Sequence, residues 1–230
     1  MIFLYRLLIN LIFILSPIIL IIRLLKKKED HKRFKEKFCF FSKHRKNGKL
    51  IWFHGASVGE LQSIVPLLEK LNKDKTIKQI LITSNTLSSS KVLNKYNFKK
   101  VIHQFFPIDT NYLSKRFLDY WKPSVAIFID SEIWPNTVIN LKKKKTPLIL
   151  LNARITKKTF NKWIVIQNFS KKIFGKFDLN LASSLDSKKH LQKLGAYNVK
   201  LIGNLKYSQS ENDKIEIDQK LKKFISAKKT

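Results

Sequence analysis

The amino-acid sequence predicts an α/β domain of the Rossmann-like kind, a mainly parallel sheet with helices on both faces, preceded by a hydrophobic N-terminal helix. Three observations predict it. Met1 to Leu25 is almost wholly apolar; beyond Gly48 short apolar runs alternate with longer amphipathic ones; and the glycine-bearing segment His54 to Glu60 links the first such run to a helical pattern.

The N-terminal run is broken only by Arg6, Asn10, Ser16, Pro17 and Arg23, and Lys26, Lys27 and Lys28 follow at once. A membrane span needs ~20 apolar residues. The uninterrupted stretch from Leu7 to Ile22 is slightly shorter, so Arg6 and Arg23 would have to snorkel. Tilted insertion and a shallow anchor kinked at Pro17 are both compatible with it. A cleaved signal peptide would carry its charge before the apolar run and a small-residue cleavage site after it. Neither is seen. The basic residues that follow are expected to place the remaining chain on the cytoplasmic side of the membrane, where they would meet anionic lipid.

The runs Leu50–Phe53, Gln79–Thr83, Val101–Phe105, 124–129, 147–151, Leu179–Ala182 and 199–202 read as buried strands. Between them Leu61, Ile64, Val65 and Leu68, or Leu113, Phe117 and Tyr120, keep helical spacing. Strands separated by single helices imply right-handed crossovers and a parallel sheet. The expected organisation is an anchor over 1–25, a basic juxtamembrane segment over 26–48, the Rossmann-like domain over 49–206 and a polar tail or linker over 207–230.

The chain has 230 residues, 44% of them hydrophobic, which excludes a wholly disordered protein and leaves room for one domain of ordinary size. Its net charge of +30, from 46 Lys and Arg against 16 Asp and Glu, calls for an anionic neighbour or reflects a compositional bias toward lysine. The lysines are scattered, with no arginine-rich arm or RNA-binding aromatic motif, which disfavours nucleic acid. One cysteine, Cys39, excludes an internal disulfide, and no metal-ligand spacing is present, so no metal and no cofactor are expected.

In parallel sheets ligands sit beyond the carboxyl ends of the strands, so those loops hold the candidate site. His54-Gly55-Ala56-Ser57-Val58-Gly59-Glu60 resembles a phosphate loop but has no Gly-Lys-Ser/Thr ending. Ser57 and Glu60 also fit a capping box, the plainer role for both. Asp130 and Glu132 in Asp130-Ser131-Glu132-Ile133-Trp134-Pro135-Asn136 follow a strand, where burial or a cation would shift their pKa. The alternative is a helix cap with Trp134 in the core. Arg154 suits anion recognition through its planar fork, or an ordinary surface ion pair. Lys206 follows the last strand.

Taken together, His54 to Glu60, Asp130 to Asn136, Asn152 to Arg154, Leu194-Gly195-Ala196 and Gly203 to Lys206 resemble the N-terminal, acceptor-side domain of 3-deoxy-D-manno-octulosonic acid (Kdo) transferases, in order and approximate spacing. The hydrophobic anchor with its basic flank matches too. The chain departs from the family pattern at Thr86-Leu87-Ser88-Ser89, commonly Thr-Pro-Thr-Gly, and at Asp130, commonly Glu. The resemblance implies an inverting glycosyltransferase of the two-domain GT-B type in lipopolysaccharide biosynthesis, moving Kdo from CMP-Kdo to a lipid A precursor. It implies Glu60 as general base, Glu132 and Lys206 as stabilisers of the transition state, and Ser57, Gly59, Asp130, Asn136 and Arg154 as substrate contacts. Family members bind CMP-Kdo through a second, C-terminal domain, and the resemblance implies that the 230 residues here leave that domain out. One half of a split enzyme, or a non-catalytic membrane module that binds acidic lipid, are the alternative readings.

Overall fold

The computed structural model describes residues 1–205 together with Gln219. The expected linker at 207–230 lies, except for Gln219, outside the described residues. Seven strands form one sheet: β1 (Lys49–His54), β2 (Ile77–Ser84), β3 (Val101–Phe105), β4 (Val125–Ile129), β5 (Leu148–Ala153), β6 (Leu179–Ala182) and β7 (Val199–Leu201). Their order is β3-β2-β1-β4-β5-β6-β7 and every pairing is parallel. The chain therefore builds outward from β1 to β3, then returns to place β4 against the other side of β1.

Eight helices follow or join the strands: α2 (Val58–Ser63), α3 (Val65–Lys73), α4 (Leu87–Val92), α5 (Asn111–Trp121), α6 (Pro135–Lys143), α7 (Lys157–Ile164), α8 (Gln167–Phe174) and α9 (Leu185–Lys193). Period-2 alternation sends the two sides of each strand into separate cores. Leu50, Trp52, Ala126, Phe128, Leu148 and Leu150 join α5, α6 and α8 on one face. Ile51, Phe53, Ile127, Ile129, Ile149 and Leu151 join α2 and α3 on the other. With both faces covered, the central strands need few polar positions, which is why β1, β4 and β5 read as nearly continuous apolar runs.

The N-terminal helix α1 (Ile2–Leu25) lies against this domain. Ile9, Ser16 and Leu20 are buried; Ile2, Tyr5, Arg6, Phe13, Arg23 and Leu24 are half-buried. These positions recur every three or four residues and form one stripe along the whole helix. The segment after it packs on the domain as well, through a 3₁₀ turn at Phe34–Phe38. Glu36 is buried there and accepts from Arg33 (2.9 and 3.0 Å), from the Ser42 hydroxyl, and from the Phe105 N–H at 2.8 Å. Arg33 also donates to the His103 carbonyl at 2.8 Å, and Ile108 N–H to the Lys37 carbonyl at 3.1 Å. Phe41 stacks on Tyr120 at 3.8 Å. Residues 29–46 thus behave as part of the domain, although 26–28 stay exposed and basic.

Candidate active site

The strand order reverses between β1 and β4, which opens a crevice beyond their carboxyl ends. His54 ends β1 and Asp130 follows β4. Gly55 lets the chain turn away from β1 at close quarters. A Cβ there would come within 3.1 Å of the Ile129 side chain and 3.2 Å of Leu61. Ser57 then caps α2, accepting from Glu60 N–H at 3.3 Å. Gly59 lies half-buried in the first turn.

The Glu60 carboxylate does not close a capping box onto the Ser57 N–H. Its Oε2 accepts from the Ala56 N–H at 2.7 Å, one residue before the cap, and its Oε1 accepts from the Ser57 hydroxyl at 2.8 Å. A helix N-terminus favours the ionised form. Burial works the other way and wins: the Glu60 carboxyl is pushed above its ordinary value, with the Ser57 and Ala56 hydrogen bonds opposing and the neighbouring Glu132 and Asp130 carboxylates adding to the rise. Three carboxylates from two loops therefore share one end of the sheet.

Glu132 is held differently. Its Oε2 accepts from the Trp134 indole N–H at 3.0 Å and lies 3.4 Å from His54 Nε2. Burial would raise its pKa, but His54 and Trp134 together hold it below the ordinary value. His54 is fully buried. The Thr83 hydroxyl accepts from Trp52 Nε1 at 2.8 Å, donates to the Phe53 carbonyl at 3.3 Å and stands 2.9 Å from His54 Nδ1. The buried Nε2 on the other side of the ring faces the Glu132 carboxylate. One site thus contains two glutamates whose environments push their pKa values apart, the pattern that assigns acid–base roles.

Asp130 and Asn152 both adopt left-handed backbone, with φ of 57° and 54°. At Asn152 the register of β5 against β6 is interrupted between Leu150 and Ala153, so β5 runs on past the apolar stretch that marked it in the sequence. Asn152 Nδ2 donates to Asp130 Oδ1 at 2.6 Å, and Asn152 Oδ1 accepts from Leu205 N–H at 3.1 Å. Residues held in such conformations gather at functional sites. Arg154 donates its backbone N–H to the Asp130 carbonyl at 3.3 Å and is exposed.

Ser57, Gly59, Glu60, Asp130 and Glu132 are thus brought to the crevice, and Arg154 stands at its rim. Asn136 faces elsewhere. It is fully buried, donating from Nδ2 to the Asp109 carbonyl at 2.7 Å and accepting from Arg6 Nε at 3.0 Å. Lys206 lies outside the described residues. His54, Thr83 and Asn152 are the organising residues that sequence reasoning gave no role. The signal for Asn152 was its place in Asn152-Ala153-Arg154, where only the arginine drew notice. No cluster of three metal-ligating side chains occurs among the described residues.

A parallel sheet wound on both faces, with carboxylates converging at its switch point, defines a Rossmann-like unit of the kind found in GT-B glycosyltransferases. Comparison narrows the class. Residues 32–209 match the family described as 3-Deoxy-D-manno-octulosonic-acid transferase (kdotransferase), and the chain belongs to that family. A 3-deoxy-D-manno-octulosonic acid transferase of Rickettsia bellii (strain RML369-C) is 39% identical over 211 residues, covering 90% of this chain and 49% of that protein. A probable mitochondrial 3-deoxy-D-manno-octulosonic acid transferase of Arabidopsis thaliana is 38% identical, over 70% of this chain and 37% of its own length. The chain spans about half or less of these relatives. Among solved structures, UDP-GlcNAc 2-epimerase from Neisseria meningitidis bound to UDP-GlcNAc has the same fold, with a TM-score of 0.51 at 17% identity over 76% of this chain and 50% of that one.

Proposed function

We propose that this chain is the acceptor-side domain of a Kdo transferase that moves Kdo from CMP-Kdo to a hydroxyl of a lipid A precursor with inversion. Glu60 is the general base. The observation that carries this reading is the company Glu60 keeps: burial and two neighbouring carboxylates raise its pKa, and a base becomes more effective as its pKa approaches the working pH. Glu60 takes the acceptor hydroxyl proton as the oxygen attacks the anomeric carbon, and the bond to the CMP phosphate breaks.

Glu132, kept ionised by His54 and Trp134, stabilises positive charge developing on the sugar. Lys206 serves the departing phosphate in this scheme, and Arg154 supplies a further anion contact at the rim. Ser57 fixes the Glu60 carboxylate through the 2.8 Å hydrogen bond, while Asp130 stays close enough to raise the basicity of Glu60. Donor recognition is assigned to a second domain, so the chain by itself binds the acceptor and not CMP-Kdo. The bisphosphorylated acceptor and the anionic inner leaflet suit the chain's positive charge.

The test joins this chain to a donor domain and compares wild type with Glu60→Gln. Glutamine keeps one acceptor oxygen, for the Ala56 N–H, its amide can donate to the Ser57 hydroxyl, and the Ser57 cap on the residue-60 N–H is untouched, but it cannot take a proton. Loss of transfer by ~10²–10⁴-fold with an unchanged melting temperature supports the base; transfer near wild type rules it out.

A further inference from the structure

The stripe that docks α1 runs from Ile2 to Leu24, so the helix lies along the domain over its full length of about 36 Å. Every ionisable or hydroxyl-bearing residue of the helix lies on that inner side. The Tyr5 hydroxyl donates to Asp109 at 2.7 Å, Arg6 donates to Asn136, the Ser16 hydroxyl returns to the Phe13 carbonyl at 2.6 Å, and Arg23 donates to Glu29 at 2.6 Å. Phe13 meets the Phe38 ring at 5.9 Å.

The outer side is the opposite in character. Leu4, Leu8, Leu11, Leu15, Ile18 and Ile22 typify it, and Asn10 is its one polar residue. The mean hydropathy of the helix, 2.6 over its best window, is that of a membrane segment. Protein interfaces are enriched in aromatic residues, Met and Arg, and of these the exposed face carries only Phe3 and Met1 at one end, the rest being almost wholly Leu and Ile. Lipid is the better match.

Cations stand at both ends. At the N-terminal end Lys171, Lys172 and Lys176 of α8 and its following turn line a cavity of about 690 Å³ with Met1 and Ile2. At the other end Arg23, Lys27 and Lys28 share a cavity of about 440 Å³ with Lys91. A helix crossing the bilayer would put these two groups at different depths, drag Asp109 and Asn136 toward hydrocarbon, or break their bonds to Tyr5 and Arg6. A helix lying flat sets both groups level with one layer of phosphates.

We propose that α1 lies in the plane of an anionic bilayer as a monotopic anchor, with its outer face in the acyl boundary and the lysines at its two ends on lipid phosphates. This deepens the membrane attachment used above and is independent of the role of Glu60. Tyr5 and Arg6 dock on the turns that begin α5 and α6, at the carboxyl side of the sheet, so the bilayer lies beside the crevice. An acceptor already held in the same leaflet reaches Glu60 by moving sideways.

The experiment uses the full chain with single cysteines at Leu4, Leu8, Leu11, Leu15, Ile18 and Ile22, spin-labelled and bound to vesicles of phosphatidylethanolamine and phosphatidylglycerol in equal parts. Burial pushes the native Cys39 thiol up to about 12, so the label goes to the introduced sites. Collision with oxygen against a water-soluble nickel chelate reads depth. All six positions are expected at one shallow depth, ~5–10 Å below the headgroups. A profile deepest at Leu11 and Leu15 and shallow at Leu4 and Ile22 means a spanning helix and overturns the proposal. So does a face closed to oxygen in the presence of vesicles, which means a second copy or another protein segment covers it. Replacing Lys171, Lys172 and Lys176 by Gln is expected to weaken binding to these vesicles on the order of 100-fold and to leave binding to phosphatidylcholine vesicles unchanged. Equal weakening on both overturns the role of the lysines. Failure of Kdo transfer in the joined enzyme would leave all of these readings unchanged, so the two hypotheses fail separately.

Discussion

Asn152 donates its side-chain N–H to Asp130 at 2.6 Å while both residues hold left-handed backbone, tying the ends of β4 and β5 across the mouth of the crevice. The bond and the backbone can be tested apart. Asn152→Gly keeps the conformation and loses the side chain; Asn152→Ala loses both. Alanine in this region is disfavoured by roughly 1–2 kcal/mol. Urea unfolding should therefore place Asn152→Ala below Asn152→Gly by about 1 kcal/mol, and equal stability would mean that the backbone at 152 relaxes freely.

The two glutamates of the site should titrate on opposite sides of their ordinary value. Carbon-13 NMR of labelled glutamate carboxyls is expected to show Glu60 above it and Glu132 below. For Glu60 the folded state favours the proton, so its stability contribution is present at low pH and lost as pH rises through the raised value. For Glu132 the contribution is present above the unfolded value and lost as pH falls through the lowered one. Activity follows Glu60: transfer should fall with pH on passing below its raised value. Glu132→Gln should move Glu60 down, because one repelling carboxylate is gone.

His103 should remain neutral well into acid. Burial, with Arg33 and Lys43 adding to it, lowers its pKa from 6.5 to about 3. Its Nε2 faces the Ser84 hydroxyl at 2.8 Å and its Nδ1 faces Arg33 at 2.9 Å. The unfolded chain binds the proton that the folded chain refuses, so stability is fully present above pH 6.5 and declines as pH falls toward about 3. Unfolding midpoints measured across this window should show the slope, and His103→Gln should flatten it.

Asp109 should be costly to change. α6 opens on Pro135 with no cap of its own, and Asp109 takes that part, accepting from the backbone N–H groups of Asn136 and Thr137, both at 2.9 Å, as well as from Tyr5. Asp109→Ala should lose about 1.5–3 kcal/mol by chemical denaturation. Tyr5→Phe removes a single partner and should lose about 1 kcal/mol. In a double-mutant cycle the two losses should fall short of adding.

β1, β4 and β5 were legible in the sequence because both faces of the sheet are covered there, so each is an apolar run between polar turns, while β3 and β7 at the edges kept only short apolar stretches. The convergence of Glu60 with Glu132 was not legible, since it depends on β4 returning to the side of β1, seventy positions away in the chain. Local rules gave Glu60 a capping role; the two carboxylates that add to its raised pKa, Glu132 and Asp130, come from the other loop. Arg6 and Arg23 looked like interruptions of a span. Their spacing with Tyr5, Ile9, Phe13, Ser16 and Leu20 is helical, but the apolar density of the remaining positions hid that stripe. The segment 26–48 read as basic and juxtamembrane because of its lysines, while its two buried acids are what the structure adds: Glu29 ties it to α1 through Arg23, and Glu36 ties it to β3 through the Phe105 N–H.

That fastening changes what happens when the N-terminus is trimmed. β3 is the last strand on its side of the sheet, and an open strand edge invites pairing with another chain. Glu36 and Arg33 occupy backbone groups of Phe105 and His103 that a foreign strand would otherwise take. A chain begun at Lys49, cut to remove the greasy helix, would also lose this guard. It should aggregate edge to edge through β3, whereas one begun just after α1 should stay soluble.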